Sequence, residues 1–239
     1  STGSGIGWED APAGGPTFKT FGTDSIMIGD DATGTINNAN KNVGLGVNVF
    51  ESLTTGDSNV AIGFDAGKSV VSGYENVFMG LYAGLNAVNN EAIAIGSYSM
   101  YSNVGNTSGD IAIGMGSMQY KNGAAGNTIA IGTYAHRGGS TTTGRANIAI
   151  GPYAMQSITT GTYNTSVGHH ALNSITAGAG NVAMGDSTLR QNTTAHNNTA
   201  IGNIALSQNT TGTQNVAVGA NALDANTTAS YNVAIGGTS

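Results

Sequence analysis

The chain is a tandem repeat with a short, nearly fixed period. Asn59-Val60-Ala61-Ile62-Gly63 returns as Asn181-Val182-Ala183-Met184-Gly185, Asn215-Val216-Ala217-Val218-Gly219 and Asn232-Val233-Ala234-Ile235-Gly236. With the last glycine as marker, copies end at Gly29, Gly46, Gly63, Gly80, Gly96, Gly114, Gly132, Gly151, Gly168, Gly185, Gly202, Gly219 and Gly236, thirteen in all. The step is 17 residues except between Gly80 and Gly151, where it runs 16, 18, 18 and 19. A period this short, sustained over most of 239 residues, restricts the chain to stacked coils, each meeting only its neighbours.

The columns of the repeat predict one strand per coil. Three places before the glycine stand only Ile, Val or Thr, and one place before it only Ile, Val, Leu or Met. Between them the residue is small, Ala in nine copies, with Met27 and Phe78 as exceptions. Large, small, large is a period of two, the signature of a strand. We expect the β-branched side chains to point inward and the small residues to face something that comes close. A second apolar spot lies four places after the glycine, at Phe50, Met100, Met118, Met155, Leu172, Leu189, Leu206 and Leu223. Turn sequences such as Thr54-Thr55-Gly56 and Thr210-Thr211-Gly212 complete the period.

Energetics require these coils to stack. About three large apolar side chains per coil are worth roughly 1.5–3 kcal/mol each when buried. Ordering one coil costs on the order of 25 kcal/mol. Parallel-ladder hydrogen bonds and a core sealed between neighbours must supply the remainder. The core is still thin. A flat small-residue face therefore suggests further burial against other copies of the chain, with cyclic symmetry.

Composition narrows the function classes. Charged residues make up only 8% of the chain, where about a quarter is usual. Residues 1–110 hold eleven acids and three bases; residues 111–239 hold two acids and four bases. Neither half is basic enough to imply nucleic acid. Cysteines are absent, so the redox compartment is open. No apolar run has the length of a membrane span.

Residues 1–24 lie outside the repeat and read as a connector and cap over the first coil, with Trp8, Phe18 and Phe21 as anchors. Residues 25–239 form the repetitive domain. Asp30-Asp31 and Glu9-Asp10 read as solvated turns rather than paired catalytic carboxylates or a Ca²⁺ site. His169-His170 invites a metal, but nothing else supports one, and no metal or cofactor is expected. His136 and His196 read as surface turns. The recurrent Asn that opens the strand suggests side-chain amides stacked along the axis. The Thr-Thr pairs read as turn chemistry rather than an ice-binding face.

The irregular coils carry the candidate binding residues. Tyr82, Tyr98, Tyr134 and Tyr153 all stand two places after the marker glycine, with Tyr101 and Tyr120 nearby. Coils about 4.8 Å apart would place them in a broken ladder on one surface. Arg137 and Arg145 add charge to the same stretch. Tyrosine suits sugar stacking and protein contact alike.

The repeat Asn-[Val/Thr]-Ala-Ile-Gly-x-x-Ala-Leu followed by Thr-Thr-Gly-x-x-Asn resembles the head repeats of trimeric autotransporter adhesins, and still more the repeats of bacteriophage tail-fibre proteins. Asn198-Thr199-Ala200-Ile201-Gly202 with Ala205-Leu206 and Thr210-Thr211-Gly212 matches closely. The resemblance implies an all-β, left-handed parallel β-roll, with three chains around an axis. It implies a non-enzymatic, adhesive fibre segment of a virion tail, whose partners are a host cell-surface glycan or protein and other fibre or tail proteins. The adhesin heads use a shorter period, so the 17-residue step favours the phage-like version over a bacterial surface adhesin head. A polysaccharide-cleaving tailspike is the enzymatic alternative, and it requires converging carboxylates. Such phage repeats often precede a self-releasing chaperone domain, and an end at Ser239 is consistent with its loss. The family supplies no catalytic residues.

Overall fold

The computed structural model describes residues 17–19, 26–29, 39–87, 90–104, 108–122 and 126–237. They form a β-solenoid, and no helix occurs among the described residues. Each repeat contributes one short strand to a single sheet, from Ile26–Gly29 and Val43–Leu45 through to Val233–Ile235. Thirteen of the sheet's strands are parallel, and equivalent repeat positions pair: Ile129 with Ile148, Ala130 with Ala149, Ile131 with Ile150. At the N-terminal edge, Thr17–Lys19 pairs antiparallel with Ile26–Gly29. On the irregular coils a second parallel patch joins Ser102–Asn103 to Tyr120–Lys121.

The turns are built from left-handed backbone conformations recurring at fixed phases. In one coil Gly185, Ser187 and Leu189 have φ of 134°, 53° and 48°, and Asn197 has 57°. Such angles are unfavourable for residues with a side chain. Stacking enforces them: Ser187 N–H donates to His169 C=O at 2.9 Å, and Leu189 N–H to Ala205 C=O at 3.0 Å. The marker glycine is required on two counts. At Gly202 φ is 128°, and an added Cβ would lie 2.5 Å from the carbonyl oxygen of Gly219 in the next coil.

The orientation of the strand is the reverse of the sequence expectation. The small central residues point inward: Ala61, Ala94, Ala112, Ala130, Ala149, Ala183, Ala200 and Ala217 are all completely buried. The flanking Ile and Val residues are half-exposed or exposed, Val43 at 41% and Ile201 at 38%. The physical reason is thickness. The large buried side chains come from the opposite wall, where Met100, Met118, Met155, Leu172, Leu189 and Leu206 are fully buried. Only a methyl group fits between them and the strand. A further inward column, seven places after the marker, holds Leu53, Val70, Ile158 and Ile175.

Phe78 demonstrates the constraint. It occupies the small column, yet it is fully buried. The facing positions on the opposite wall are Gly67 and Gly84 instead of Leu or Met, and a Cβ there would lie 2.9 Å and 2.3 Å from the Phe78 ring. One ring replaces two side chains at nearly constant interior volume, as close packing demands.

The interior also carries an amide ladder along the axis. Asn164 Nδ2 donates to Asn147 Oδ1 at 3.2 Å and to Gly178 C=O at 2.9 Å, while Asn164 N–H donates to Asn147 Oδ1 at 3.0 Å. The pattern continues through Asn181, Asn198, Asn215 and Asn232. These buried amides are therefore satisfied, as burial requires. The threonines form a second ladder: the hydroxyls of Thr159, Thr176, Thr193 and Thr210 each donate to the backbone carbonyl one coil ahead.

Candidate functional site

The aromatic wall grows out of the turn that follows each strand. After the marker glycine the chain reverses through a residue with φ near 55°, and this residue is Tyr82, Tyr98, Tyr134 or Tyr153 in four coils. That conformation turns the side chain onto the outer edge of the coil, where it meets the same phase of the coils above and below. Ring centroids lie 5.1 Å apart for Tyr82 and Tyr98, and 5.9 Å for Tyr134 and Tyr153. Such spacings suit attractive ring packing.

The rings fall into two groups. Phe64, Tyr82, Tyr98, Tyr101 and Tyr120 are linked by centroid distances of 5.1 to 6.4 Å. Tyr134 and Tyr153 continue into His169 and His170, the latter stacked on Tyr153 at 5.0 Å and 10°. Between the groups the tyrosine phase is occupied by Gly116. Arg137 bridges the break. Its guanidinium carbon lies 5.2 Å from the Tyr134 centroid and 5.9 Å from that of Tyr120, while its Nε donates to Gln119 Oε1 at 3.0 Å. Ser97, Tyr98, Met115, Gly116, Gln119 and Tyr134 line a cleft of about 270 Å³ at this point.

Of the candidate residues, the structure brings together Tyr82, Tyr98, Tyr101, Tyr120, Tyr134, Arg137 and Tyr153. It does not bring Arg145 to them. Arg145 is an exposed turn residue six places before Gly151, and its C=O accepts from Tyr163 N–H at 3.2 Å. Phe64 and Gln119 join the wall without having been singled out, and His169 and His170, weighed in the sequence only as a metal pair, join it as rings. The repeat phase identifies Phe64 and His169 one place after the marker and His170 two places after it.

Beneath the wall the polar interior changes character. The Asn ladder stops at Asn76 and resumes at Asn147. Ala92, Asp110 and Thr128 take the intervening positions. Lys121 occupies the inward column that holds Leu53, Val70, Ile158 and Ile175 in other coils and Asn in several more, and its Nζ donates to both carboxylate oxygens of Asp110 at 2.8 Å. Both side chains are fully buried. Asp110 Oδ1 also accepts from Thr128 N–H at 2.9 Å and thereby replaces the missing amide. Burial pulls the Lys121 pKa below the usual lysine value, against the pull of Asp110. His136 stands in the Leu/Met column and is fully buried, not on a surface turn as the sequence suggested. Burial and then the Lys121 charge depress its pKa to about 4. It is neutral at physiological pH, with Nε2 placed 3.4 Å from Asn147 Nδ2.

His169 pairs with an acid. Its Nδ1 lies 2.9 Å from Asp186 Oδ2, and this hydrogen bond holds the Asp186 carboxyl below its usual pKa. Among the described residues, no three His, Asp or Glu side chains cluster as metal ligands would. His196 is exposed, and its Nδ1 accepts from Ala179 N–H at 3.0 Å. Asp30-Asp31, Glu9-Asp10, Trp8 and Phe21 lie outside the described residues, and Phe18 is described only as backbone of the first strand. No helix among the described residues is long and apolar enough to cross a membrane. Comparison with protein-family models, with curated proteins and with solved structures finds no match to this chain.

Proposed function

We propose that this chain is a structural and adhesive segment of a fibre, assembled as a homotrimer and serving in a phage tail to attach the particle to a bacterial host surface. The observation that carries the reading is the exposed apolar face of the long sheet. Val43, Leu45, Met79, Met184 and Ile201 are each more than a third exposed on it. Strands about 10 Å long and 4.8 Å apart, repeated over thirteen rungs, make a strip on the order of 600 Å². This is at the upper end of what a monomer leaves bare and approaches the roughly 800 Å² per partner of a stable interface. Copies of the same chain are its natural partner, because an in-register column of Val and Ile is self-complementary under cyclic symmetry. The resemblance of the repeat to trimeric adhesin heads and phage fibres supports three copies and the adhesive role.

In this reading the sheet face holds the fibre together and the aromatic wall meets the host. Half-buried tyrosines on a rigid stack suit contact because their rings are preorganised. Three copies per fibre multiply a weak contact by avidity. The test is to replace Tyr134 and Tyr153 together by Ala, check that the assembly persists, and measure adsorption to host cells. Adsorption should fall sharply. Unchanged adsorption, with loss instead on replacing Thr193 and Thr210, would assign contact to the regular coils and defeat this reading.

A further inference from the structure

We infer that the break in the aromatic wall at Gly116 is a binding slot for a single hexopyranose ring. The inference rests on the reading of the wall as the contact surface and names what one part of it takes.

The slot is a missing rung. Ser97 and Tyr98 lie on one coil, Met115, Gly116 and Gln119 on the next, and Tyr134 on the one after. The backbone at Gly116 has φ of 60°, matching 58° at Tyr98, 53° at Tyr134 and 59° at Tyr153. The coil is therefore shaped to carry a tyrosine here and carries none. Tyr134 leans over the bare position, so that a Cβ at Gly116 would lie 2.5 Å from its Cε1. Even so, about 270 Å³ remains. That is slightly below the roughly 300–1,000 Å³ of pockets for drug-sized ligands, so the slot has room for one ring and not for a folded chain segment.

The chemistry of the lining selects a sugar. Tyr98 and Tyr134 both line the cleft, with the Tyr134 ring lowered onto the bare position, and a sugar ring entering it packs against tyrosine at carbon contacts of about 3.5–4.0 Å. The C–H faces of a pyranose stack on tyrosine, while its equatorial hydroxyls reach outward to polar groups. Gln119 supplies such a group. Its Oε1 is held by Arg137 Nε at 3.0 Å, which leaves its amide NH2 to donate at the slot's edge. Arg137 also packs on Tyr134 at 5.2 Å, so it positions both a wall and a donor. A flat aromatic ligand would fill the stack but leave Gln119 unanswered. A peptide would need more length than the slot provides.

Saturation-transfer NMR of the full-length assembly with D-glucose, D-galactose and N-acetyl-D-glucosamine tests the inference. At least one of these should receive saturation through its ring C–H protons. Gly116→Tyr completes the ladder in a backbone conformation already used by four tyrosines, and it should weaken that binding at least tenfold while the assembly stays folded. Gln119→Ala keeps both rings and should weaken binding severalfold, which covers the case in which Gly116→Tyr perturbs folding. Failure of all three sugars to bind, or equal binding by Gly116→Tyr, overturns the slot. The reading of the wall is tested separately by adsorption of the Tyr134/Tyr153 double variant, so the slot can fall while the wall stands.

Discussion

Two stretches of one solenoid solve the same packing problem differently. From Gly168 onward every step is 17 residues. There the amide ladder runs unbroken, and Leu172, Leu189 and Leu206 fill the core. Between Gly80 and Gly151 the step varies. The ladder is replaced by the Asp110–Lys121 pair, a histidine stands in the leucine column, and the outer edge is paved with tyrosine. The backbone register of the main sheet is the same in both. The lesson is that sheet register and marker glycines specify the scaffold, whereas interior polar chemistry and turn length vary together where the surface is specialised.

The largest expected effect is one the two stretches share. Gly202→Ala and Gly96→Ala each place a Cβ against the next coil's backbone, within 2.5 and 2.7 Å, at φ of 128° and 124°. Each should cost about 4 kcal/mol or more, seen as a loss of the cooperative urea transition at low denaturant. A much smaller cost in the irregular stretch would show that its coils are not held by the same scaffold.

Next in size, the two stretches should part. Lys121→Ala strands a buried carboxylate and should cost about 3–5 kcal/mol. The residue at the same phase in the regular stretch is Asn192, whose Oδ1 accepts one hydrogen bond, from Ala195 N–H at 3.0 Å. Asn192→Ala should cost about 1–2 kcal/mol. Urea midpoints of the two variants decide between this ordering and equal effects.

The largest pH response should belong to the irregular stretch. His136 has its folded pKa depressed to about 4, so the unfolded chain, titrating near its ordinary value of about 6.5, binds the proton first. The stability that neutral His136 confers is complete above that ordinary value. It is lost as pH falls towards 4, by roughly 3 kcal/mol in total. His136→Leu restores the residue type of Leu172, Leu189 and Leu206, and Asn147 Nδ2 keeps its bond to Gly161 C=O at 2.9 Å. The variant should flatten the dependence of the urea midpoint on pH between 7 and about 4.

The smallest effect lies at the surface. Tyr153→Ala removes a half-buried ring stacked on His170 and should cost about 1 kcal/mol. A cost as large as that of a core leucine, about 2–5 kcal/mol, would mark the wall as structural and weaken its assignment to contact.

Much of the scaffold was legible because the repeat aligns equivalent residues. The period locates each strand, the recurrent Asn predicts the amide ladder, and the tyrosine phase predicts ring contacts. Which face of the strand points inward is not legible from the alternation, which defines two faces without saying which is buried. The sequence does contain the answer in Phe78. The one aromatic residue in the small column coincides with Gly67 and Gly84 in the facing column, and only an inward small column explains that compensation. Lys121 and His136 were illegible as buried groups for a different reason. By residue type both belong at the surface, yet in the repeat His136 falls among Leu and Met, and Lys121 falls in a column that mixes Leu53, Val70, Ile158 and Ile175 with Asn192 and Asn209. The slot at Gly116 depends on a side chain that is absent, and glycines are too numerous in this chain for one more to stand out.

Coverage of the exposed Val and Ile face by other copies of the chain is the central proposal. Mass measurement of the intact protein in solution under native conditions tests this directly. A homotrimer should give a single stable species at three times the 23.8 kDa chain mass. A stable, folded species at the mass of one chain would contradict it.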